Sequence, residues 1–421
     1  MSPAVELLAI GNELLLGETA DTNSTWIARR LAAEGIVIAR KTTVGDDVAV
    51  IRAALHDALH RTHAVLCTGG LGPTPDDLTR HAVAMLYGRA LHIDEEWLDV
   101  LRARYQRRGI AMPASNRVQG EIPEGATLLP NDNGTAPGIA IADDALGLTV
   151  LLPGVPMEMR GLMDHHVVPL LRARFGTAAP VTSRILRTAG LSEAVLAERI
   201  EDIACDVAPL TLAFLPHGTG VDLRLTSWGA LHGAALDRAF ERVLTRLRER
   251  LGDNVYADDE RDIAVVVGEL LRERGFTLAL AESCTGGLVS KRMSDAAGAS
   301  DYLRTALVTY SNDAKHQLLG VRRETLAAHG AVSELCAREL AEGARRVGSA
   351  DVGVSITGIA GPGGGSDDKP VGTVWFAVAV RGRDTIARRF VLPGTRTEIR
   401  ERAAQAAIDM VRRALLAHDA A

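Results

Sequence analysis

Ser283 stands in Ala281-Glu282-Ser283-Cys284-Thr285-Gly286-Gly287, and Tyr310 and Lys315 follow in Tyr310-Ser311-Asn312-Asp313-Ala314-Lys315. A serine hydroxyl becomes an effective nucleophile when a neighbouring base takes its proton, and a phenol or an amine can do so. Two glycines let a ligand or another backbone approach, and a helix starting behind them offers unpaired N–H groups to an anion. Nucleophilic attack beside an anion site is the chemistry these residues allow. The same corner also reads as an ordinary helix cap and tight turn, because Ser and Thr are common caps.

A third segment, Ser355-Ile356-Thr357-Gly358-Ile359-Ala360-Gly361-Pro362-Gly363-Gly364-Gly365, runs from an apolar strand into a glycine-rich loop. Three polar corners, each closing an apolar run, are expected to meet along one edge of a parallel sheet, where open α/β folds bind ligands. Two familiar serine patterns do not apply. A G-x-S-x-G elbow needs glycines where the chain has Ala281 and Thr285, and Tyr310 and Lys315 are not the one-turn Tyr-x-x-x-Lys pair. Lys291 is a rival base, but eight helical residues put it about 12 Å from Ser283. Lys315 is the expected base.

The first part of the chain has its own corner in Cys67-Thr68-Gly69-Gly70-Leu71-Gly72-Pro73-Thr74-Pro75-Asp76-Asp77-Leu78-Thr79-Arg80. Gly69, Gly70 and Gly72 can bring backbone N–H groups to a loop that cradles phosphate. Asp76 and Asp77 can hold a divalent metal against that phosphate, or can cap the following helix and favour its dipole. Gly11-Asn12-Glu13, Asn133 to Gly138, and Leu152 to Met159 supply further polar loops expected on the same sheet edge.

The elements that must position these corners are legible. Val5 to Ile10, Val37 to Thr43 and Ala64 to Cys67 read as strands, with helices over Asp21 to Leu31 and Val48 to Leu59 between them. That alternation predicts a parallel sheet covered by helices on both faces. Residues 178 to 250 read as a strand (Arg184 to Thr188), a helix (Ser192 to Ile203), a hairpin (Leu210 to Thr226) and a helix whose Leu236, Phe240, Val243, Leu244 and Leu247 face one core. Gly252 to Arg261 reads as an acidic loop and a boundary. A further amphipathic helix, with Ile263, Val266, Val267, Leu270 and Leu271, opens the last domain.

At 421 residues the chain has room for two to four domains, and 47% apolar content with mixed charge describes a globular protein. A net charge of −6 gives no broad basic face, so strong nucleic-acid binding is not expected. The cysteines Cys67, Cys205, Cys284 and Cys336 lack C-x-x-C spacing, which suits a reducing cytoplasm and argues against a zinc site. No apolar run approaches about 18 residues, so no membrane span is expected, and a cytoplasmic location follows by default.

Taken together these segments resemble the CinA family, the bacterial competence/damage-inducible proteins, over nearly the whole length. The resemblance is carried by Gly11 to Gly17, Thr68 to Thr79, Asn133 to Gly138, Leu152 to Glu158, Ala281 to Gly287, Tyr310 to Lys315, Gly330 to Ser333, Thr357 to Gly364 and Pro370 to Val374. It implies three domains: a three-layer α/β molybdopterin-binding (MoaB/MogA-like) domain over 1–173, a small α+β KH-like domain over 174–252, and a C-terminal α/β amidohydrolase domain over 260–421. The implied activities are hydrolysis of nicotinamide mononucleotide to nicotinate mononucleotide and ammonia, without a cofactor, and cleavage of ADP-ribose with a divalent metal such as Mg.

In that resemblance Ser283 is the nucleophile, activated by Tyr310 and Lys315. Cys284, Thr285, Gly286, Gly287, Thr357, Gly358, Gly361 and Arg400 hold the nicotinamide substrate; Arg400 also reads as a surface residue opening the last helix. Gly69, Gly70, Gly72, Thr74, Asn12 and Glu13 hold ADP-ribose, and Asp76 and Asp77 hold the metal. A homodimer is the expected assembly. Two departures stand out: Asn116 to Gly120 loosens an expected Lys-Gln-Ala run, and the middle domain shows no G-x-x-G between helices, which argues against RNA binding. Two other readings stay open, a molybdopterin-binding protein and a non-enzymatic partner in DNA uptake or repair.

Overall fold

The computed structural model describes residues 4–176 and 179–419. It divides into two compact units, residues 1–182 with 227–236, and residues 183–226 with 237–421. The first unit is built on a sheet whose strands, in spatial order, are Val37–Val44, Ala4–Ile10, Ala64–Thr68, Gly147–Leu152, Gly138–Asp143 and Thr127–Leu129. The first four run parallel; Gly138–Asp143 runs opposite to them, and Thr127–Leu129 pairs antiparallel to Gly138–Asp143. The sequence rhythm predicted a parallel sheet, and the sheet is mixed. The connection between Asp143 and Gly147 is too short for a crossover and allows only a hairpin. Asp143 Oδ1 braces that turn by accepting the Ala145 N–H at 2.8 Å.

Both faces of this sheet are covered. Val5, Leu7, Leu66, Val150 and Leu152 meet the helix Thr22–Ala32 and the segment around Met159 to Leu171 on one side. Leu8, Ile10, Val65, Cys67 and Leu151 meet Val48–Thr62 and Thr79–Tyr87 on the other. The alternation along each strand therefore fixes which loops open at the strand ends. Asp21 and Asp47 start the first two long helices by accepting the N–H groups of Ser24 and Val50, both at 2.9 Å.

The second unit holds two sheets. The smaller one runs Thr211–His217, Gly220–Ser227, Thr182–Thr188 and Val255–Ala257, and packs on the helix Gly233–Leu251 through Phe240, Val243, Leu244 and Leu247. Its edge strand Val255–Ala257 lies within the stretch read from sequence as an acidic loop. A three-residue strand carries no periodicity, so only pairing with Thr188 and Arg187 reveals it. Tyr256, Ala257 and Ala189 are buried in the same cluster as the core of the larger sheet.

That larger sheet has the order Leu303–Val308, Leu278–Glu282, Val352–Gly358, Thr373–Val380 and Ile386–Val391. Its first three strands are parallel, Thr373–Val380 runs opposite to them, and Ile386–Val391 pairs antiparallel to Thr373–Val380. The helices Ile263–Glu273 and Arg396–Asp419 cover one face through Val267, Leu271, Ala403, Ala407 and Leu415. The helix Glu334–Val347 covers the other through Cys336, Leu340 and Ala344. In the register, Glu282 pairs with both Val308 and Ile356, so the three parallel strands end together. No helix among the described residues is long and apolar enough to cross a membrane.

Candidate functional site

The three strand ends bring Ser283, Tyr310–Lys315 and Thr357 to one edge. Ser311 caps the helix Asn312–Leu319 by accepting the Ala314 N–H at 3.1 Å, which sets Lys315 one turn in. The Lys315 side chain is buried and runs back toward the sheet, where its Nζ donates to Ser283 Oγ at 3.2 Å, Thr309 O at 2.7 Å and Tyr310 O at 3.3 Å. It forms no ion pair among the described residues. Burial holds its pKa below the ordinary lysine value. An amine held toward neutrality beside a serine hydroxyl can take that hydroxyl's proton. Lys291, the rival, is exposed and pairs with Asp295 at 2.5 Å.

The turn after Ser283 differs from the expectation in one respect. Its helix start does not lie open to an anion, because the buried carboxylate of Glu282 already takes the N–H groups of Gly287 (3.0 Å), Val289 (3.1 Å) and Ser290 (2.7 Å), and the Ser290 hydroxyl as well. Nothing in the local pattern separates a glutamate ending a strand from one capping the helix that follows. The Cys284 and Thr285 amides donate to no backbone carbonyl among the described residues. The hydroxyls of Thr285 and Thr309 are buried without hydrogen-bond partners among the described residues. Gly286 and Gly287 adopt φ of +60° and +92°, so the turn needs glycine at both positions.

The remaining predicted residues divide. Arg400 reaches the corner: its guanidinium donates to Thr285 O at 2.8 Å and is half-buried, so it is not a free surface group. Cys284 is buried, with its thiol pKa pushed up to about 11 by desolvation, and behaves as packing. Thr357 is buried with its hydroxyl committed to Ala331 O at 2.8 Å. Gly358 is needed because a Cβ there would come within 2.7 Å of Thr373 O, a packing reason. Gly361 accepts from Arg396 Nη1 at 2.7 Å. Tyr310 corrects the sequence reading. Its phenol is 63% exposed and meets Arg396 Nη2 at 3.2 Å, and only its carbonyl reaches Lys315.

In the N-terminal unit the loops after the strand ends enclose a cleft of about 450 Å³ lined by Glu13, Gly69, Gly70, Gly72, Asp76 and Asp77, with Glu158 opposite in the lining. Gly69 and Gly70 have positive φ, and a Cβ at either would come within 2.1 Å of Ile10 O or Thr79 Oγ1. Their amides differ: Gly69 N–H donates to Leu152 O at 3.0 Å, whereas those of Gly70 and Leu71 have no acceptor among the described residues. Arg80, almost fully buried, supports the loop from beneath by donating to Leu71 O (2.8 Å) and Gly72 O (2.9 Å). Asn23 ties Thr68 Oγ1 (3.1 Å) to Gly154 O (2.7 Å). Sequence reasoning assigned neither residue a role; an arginine in the first turn of the helix that follows a glycine loop was the available signal.

The two aspartates are not equivalent. Asp77 closes the loop on itself, Oδ1 accepting from Gly72 N–H at 2.6 Å and Oδ2 from Thr74 N–H at 2.9 Å and Thr74 Oγ1 at 2.5 Å. Thr74 is therefore part of a clip and is not among the residues lining the cleft. Asn12 is also engaged elsewhere, its backbone N–H on Asp46 Oδ2 at 2.8 Å and its Oδ1 accepting from Asp46 N–H at 3.4 Å. Among the described residues no group of three or more His, Cys, Asp or Glu side chains is arranged to hold a metal ion. A single exposed carboxylate, Asp76, could contribute to a hydrated Mg-type ion only together with ligand oxygens, not to an all-protein cage.

An α/β protein of two compact units, with a lysine–serine pair at a strand edge of the second, is the class this geometry defines, and comparison with known proteins places it further. Residues 6–173 match the family described as "Probable molybdopterin binding domain", residues 183–257 the "Damage-inducible protein CinA KH domain", and residues 260–415 the "CinA C-terminal domain". A CinA-like protein of Gemmatimonas aurantiaca is 48% identical over 97% of this chain and 96% of its own length. A CinA-like protein of Geobacter metallireducens is 45% identical over 98% of this chain and 99% of its own. The crystal structure of a competence-damaged protein (CinA) superfamily member from Klebsiella pneumoniae is 38% identical, covering 37% of this chain and 96% of that one, with a TM-score of 0.36. The chain belongs to the CinA family. Its domains are a molybdopterin-binding-like N-terminal domain, a KH-like middle domain and a CinA C-terminal domain.

Proposed function

We propose that the C-terminal domain hydrolyses the carboxamide of nicotinamide mononucleotide to nicotinate mononucleotide and ammonia. The observation that supports this most directly is the buried Lys315 amine 3.2 Å from Ser283 Oγ. In the proposed sequence neutral Lys315 takes the Ser283 proton as Oγ attacks the amide carbon. The carbonyl oxygen becomes an oxyanion received by the Cys284 and Thr285 amides. Lys315 then passes its proton to the departing nitrogen, ammonia leaves, and water cleaves the ester to return the serine. Arg400 and Arg396 are the cations available for the substrate's phosphate, since Glu282 has taken the helix start. Ammonia release from nicotinamide mononucleotide by the purified full-length chain, with nicotinate mononucleotide identified as the other product, tests the reading. A chain inert toward this substrate removes it.

For the N-terminal cleft we propose cleavage of the pyrophosphate of ADP-ribose, with the Gly70 and Leu71 amides receiving phosphate oxygens. A divalent ion, held by Asp76 and those oxygens, would neutralise charge on the phosphates. The second reading for this cleft is binding of a molybdopterin, favoured by the description of the family its sequence matches. Incubation with ADP-ribose and Mg, followed by detection of AMP, separates the two: turnover supports the first, and copurified pterin without turnover supports the second. The work of the molecule would then be pyridine-nucleotide recycling in the cytoplasm by a homodimer.

A further inference from the structure

The second unit contains a larger cavity, about 1120 Å³, that neither proposed reaction uses. Its walls come from the hairpin turn at Gly218, the strand Ile386–Val391 and the helix Arg396–Asp419. Those walls are fastened together. Arg412, 3% exposed, donates to the carbonyls of Asp253 and Val255 and pairs with Asp409 at 2.7 Å. Arg402 Nε donates to Gly218 O at 3.0 Å. A space closed by a buried ion pair and several backbone acceptors is preformed, as small-molecule sites commonly are.

Its chemistry is mixed in a specific way. Val378, Phe390, Leu392 and Met410 give it an apolar surface. Gln405, only 5% exposed, uses its Oε1 to accept from Arg292 Nη2 at 2.8 Å, which assigns the amide orientation. Its Nε2 then has no acceptor among the described residues, a nearly buried donor in the cavity lining. Arg388 and Arg402 donate only to backbone carbonyls and have no carboxylate within ion-pair distance among the described residues. Asp409 is occupied by Arg412 and Arg413, both at 2.7 Å. The charges left in the lining are Arg199, Arg388 and Arg402 against Glu193 and Asp253, a cationic balance.

We propose that this cavity is a binding site for a small amphipathic anion. An apolar body lies against Phe390 and Met410, a carboxylate, sulfonate or phosphate head meets Arg388 and Arg402, and Gln405 donates to a ligand oxygen. Charge-assisted bonds to arginine supply orientation, and the apolar wall supplies burial.

The test uses the full-length chain and the dye 8-anilinonaphthalene-1-sulfonate, followed by fluorescence and calorimetry. One saturable site per chain is expected, with decanoate displacing the dye and decylammonium failing to. Arg388→Glu, on an exposed strand, reverses the charge without repacking, and Ala406→Phe fills the space. Each should weaken the dye on the order of tenfold or more while thermal melts show a folded chain. Undiminished binding in both variants, absence of a saturable site, or equal displacement by the cationic amphiphile overturns the proposal.

Discussion

The serine corner and the N-terminal glycine loop are assembled from the same parts: a buried strand, a glycine pair and a helix start. In both, a carboxylate of the chain itself takes backbone N–H groups, Glu282 those of Gly287, Val289 and Ser290, and Asp77 those of Gly72 and Thr74. Each also has amides that donate to no backbone carbonyl among the described residues, those of Cys284 and Thr285 in one case and of Gly70 and Leu71 in the other. The difference lies in what faces those amides. One corner holds a buried lysine on a serine; the other holds exposed and half-buried carboxylates and no cationic side chain in its lining. A glycine pair before a helix thus makes a similar turn in either setting, and the titratable neighbour is what separates the covalent chemistry proposed for one from the phosphate binding proposed for the other.

The largest break between the two should come from Ser283→Ala. It removes the only hydroxyl hydrogen-bonded to Lys315 among the described residues, so ammonia release should fall on the order of 10³-fold or more, as for members of a catalytic unit. Cleavage of ADP-ribose by the other unit should be unchanged. Ammonia release that survives at a near-normal rate would falsify the nucleophile assignment, whatever the family.

Lys315→Met should match that loss and add a stability signature that the glycine loop cannot have. Burial lowers the Lys315 pKa from its ordinary 10.5, so the unfolded chain binds this proton at a higher pH than the folded chain does. Stability therefore rises with pH between the folded value and 10.5, and the cost of burying this amine grows as pH falls through that window. Methionine has no proton to bind. The melting temperature of the variant relative to wild type should move in the variant's favour as pH is lowered from about 10, by on the order of a few degrees. A difference independent of pH would mean that Lys315 is an ordinary ammonium in the folded protein.

Much of this was readable in advance. The strand–helix alternation, the meeting of the three corners and the placement of Lys315, not Lys291, beside Ser283 followed from short apolar runs and from helix geometry, which are local signals. What escaped was settled by contacts distant in sequence or by competition for one donor. Tyr310 and Lys315 belong to the same short segment, yet the phenol finds Arg396, which lies 86 residues away. Glu282 and Asp77 are ordinary acidic residues until the turn folds round them. Val255–Ala257 is a strand only because Thr188 is beside it. The antiparallel edges of both large sheets likewise depend on pairing, which apolar content alone does not encode.

Asp77→Asn addresses the loop's side of the comparison with a smaller effect. The amide would set a donor against the N–H of Gly72 or Thr74, and an unsatisfied pair of this kind costs about 1–3 kcal/mol. ADP-ribose turnover should drop about tenfold, with the Mg concentration for half-maximal rate little changed, because Asp77 clips the loop. Asp76→Asn should do the opposite and raise the Mg requirement. If Asp77→Asn shifts the Mg dependence and Asp76→Asn does not, the division between clip and ligand is reversed.

The smallest effect is expected at Tyr310, where family resemblance and geometry part company. Resemblance makes the phenol an activator of Ser283; the structure puts it in solvent with one hydrogen bond to Arg396, while its backbone carbonyl serves Lys315. Tyr310→Phe keeps that carbonyl and deletes the phenol. Loss of one exposed neutral–cation hydrogen bond is worth about 1 kcal/mol, less than tenfold in rate. Arg396→Ala, which removes the same contact from the other side, should match it in kcat, and any extra loss should fall in KM if the guanidinium meets phosphate. A fall in Tyr310→Phe as deep as that of Ser283→Ala would show that the phenol leaves Arg396 for the serine once substrate is bound. Catalytic contacts of that kind can tighten only in the complex. Arg396 would then be a latch, and loosening it by Arg396→Ala should spare kcat in the same assay.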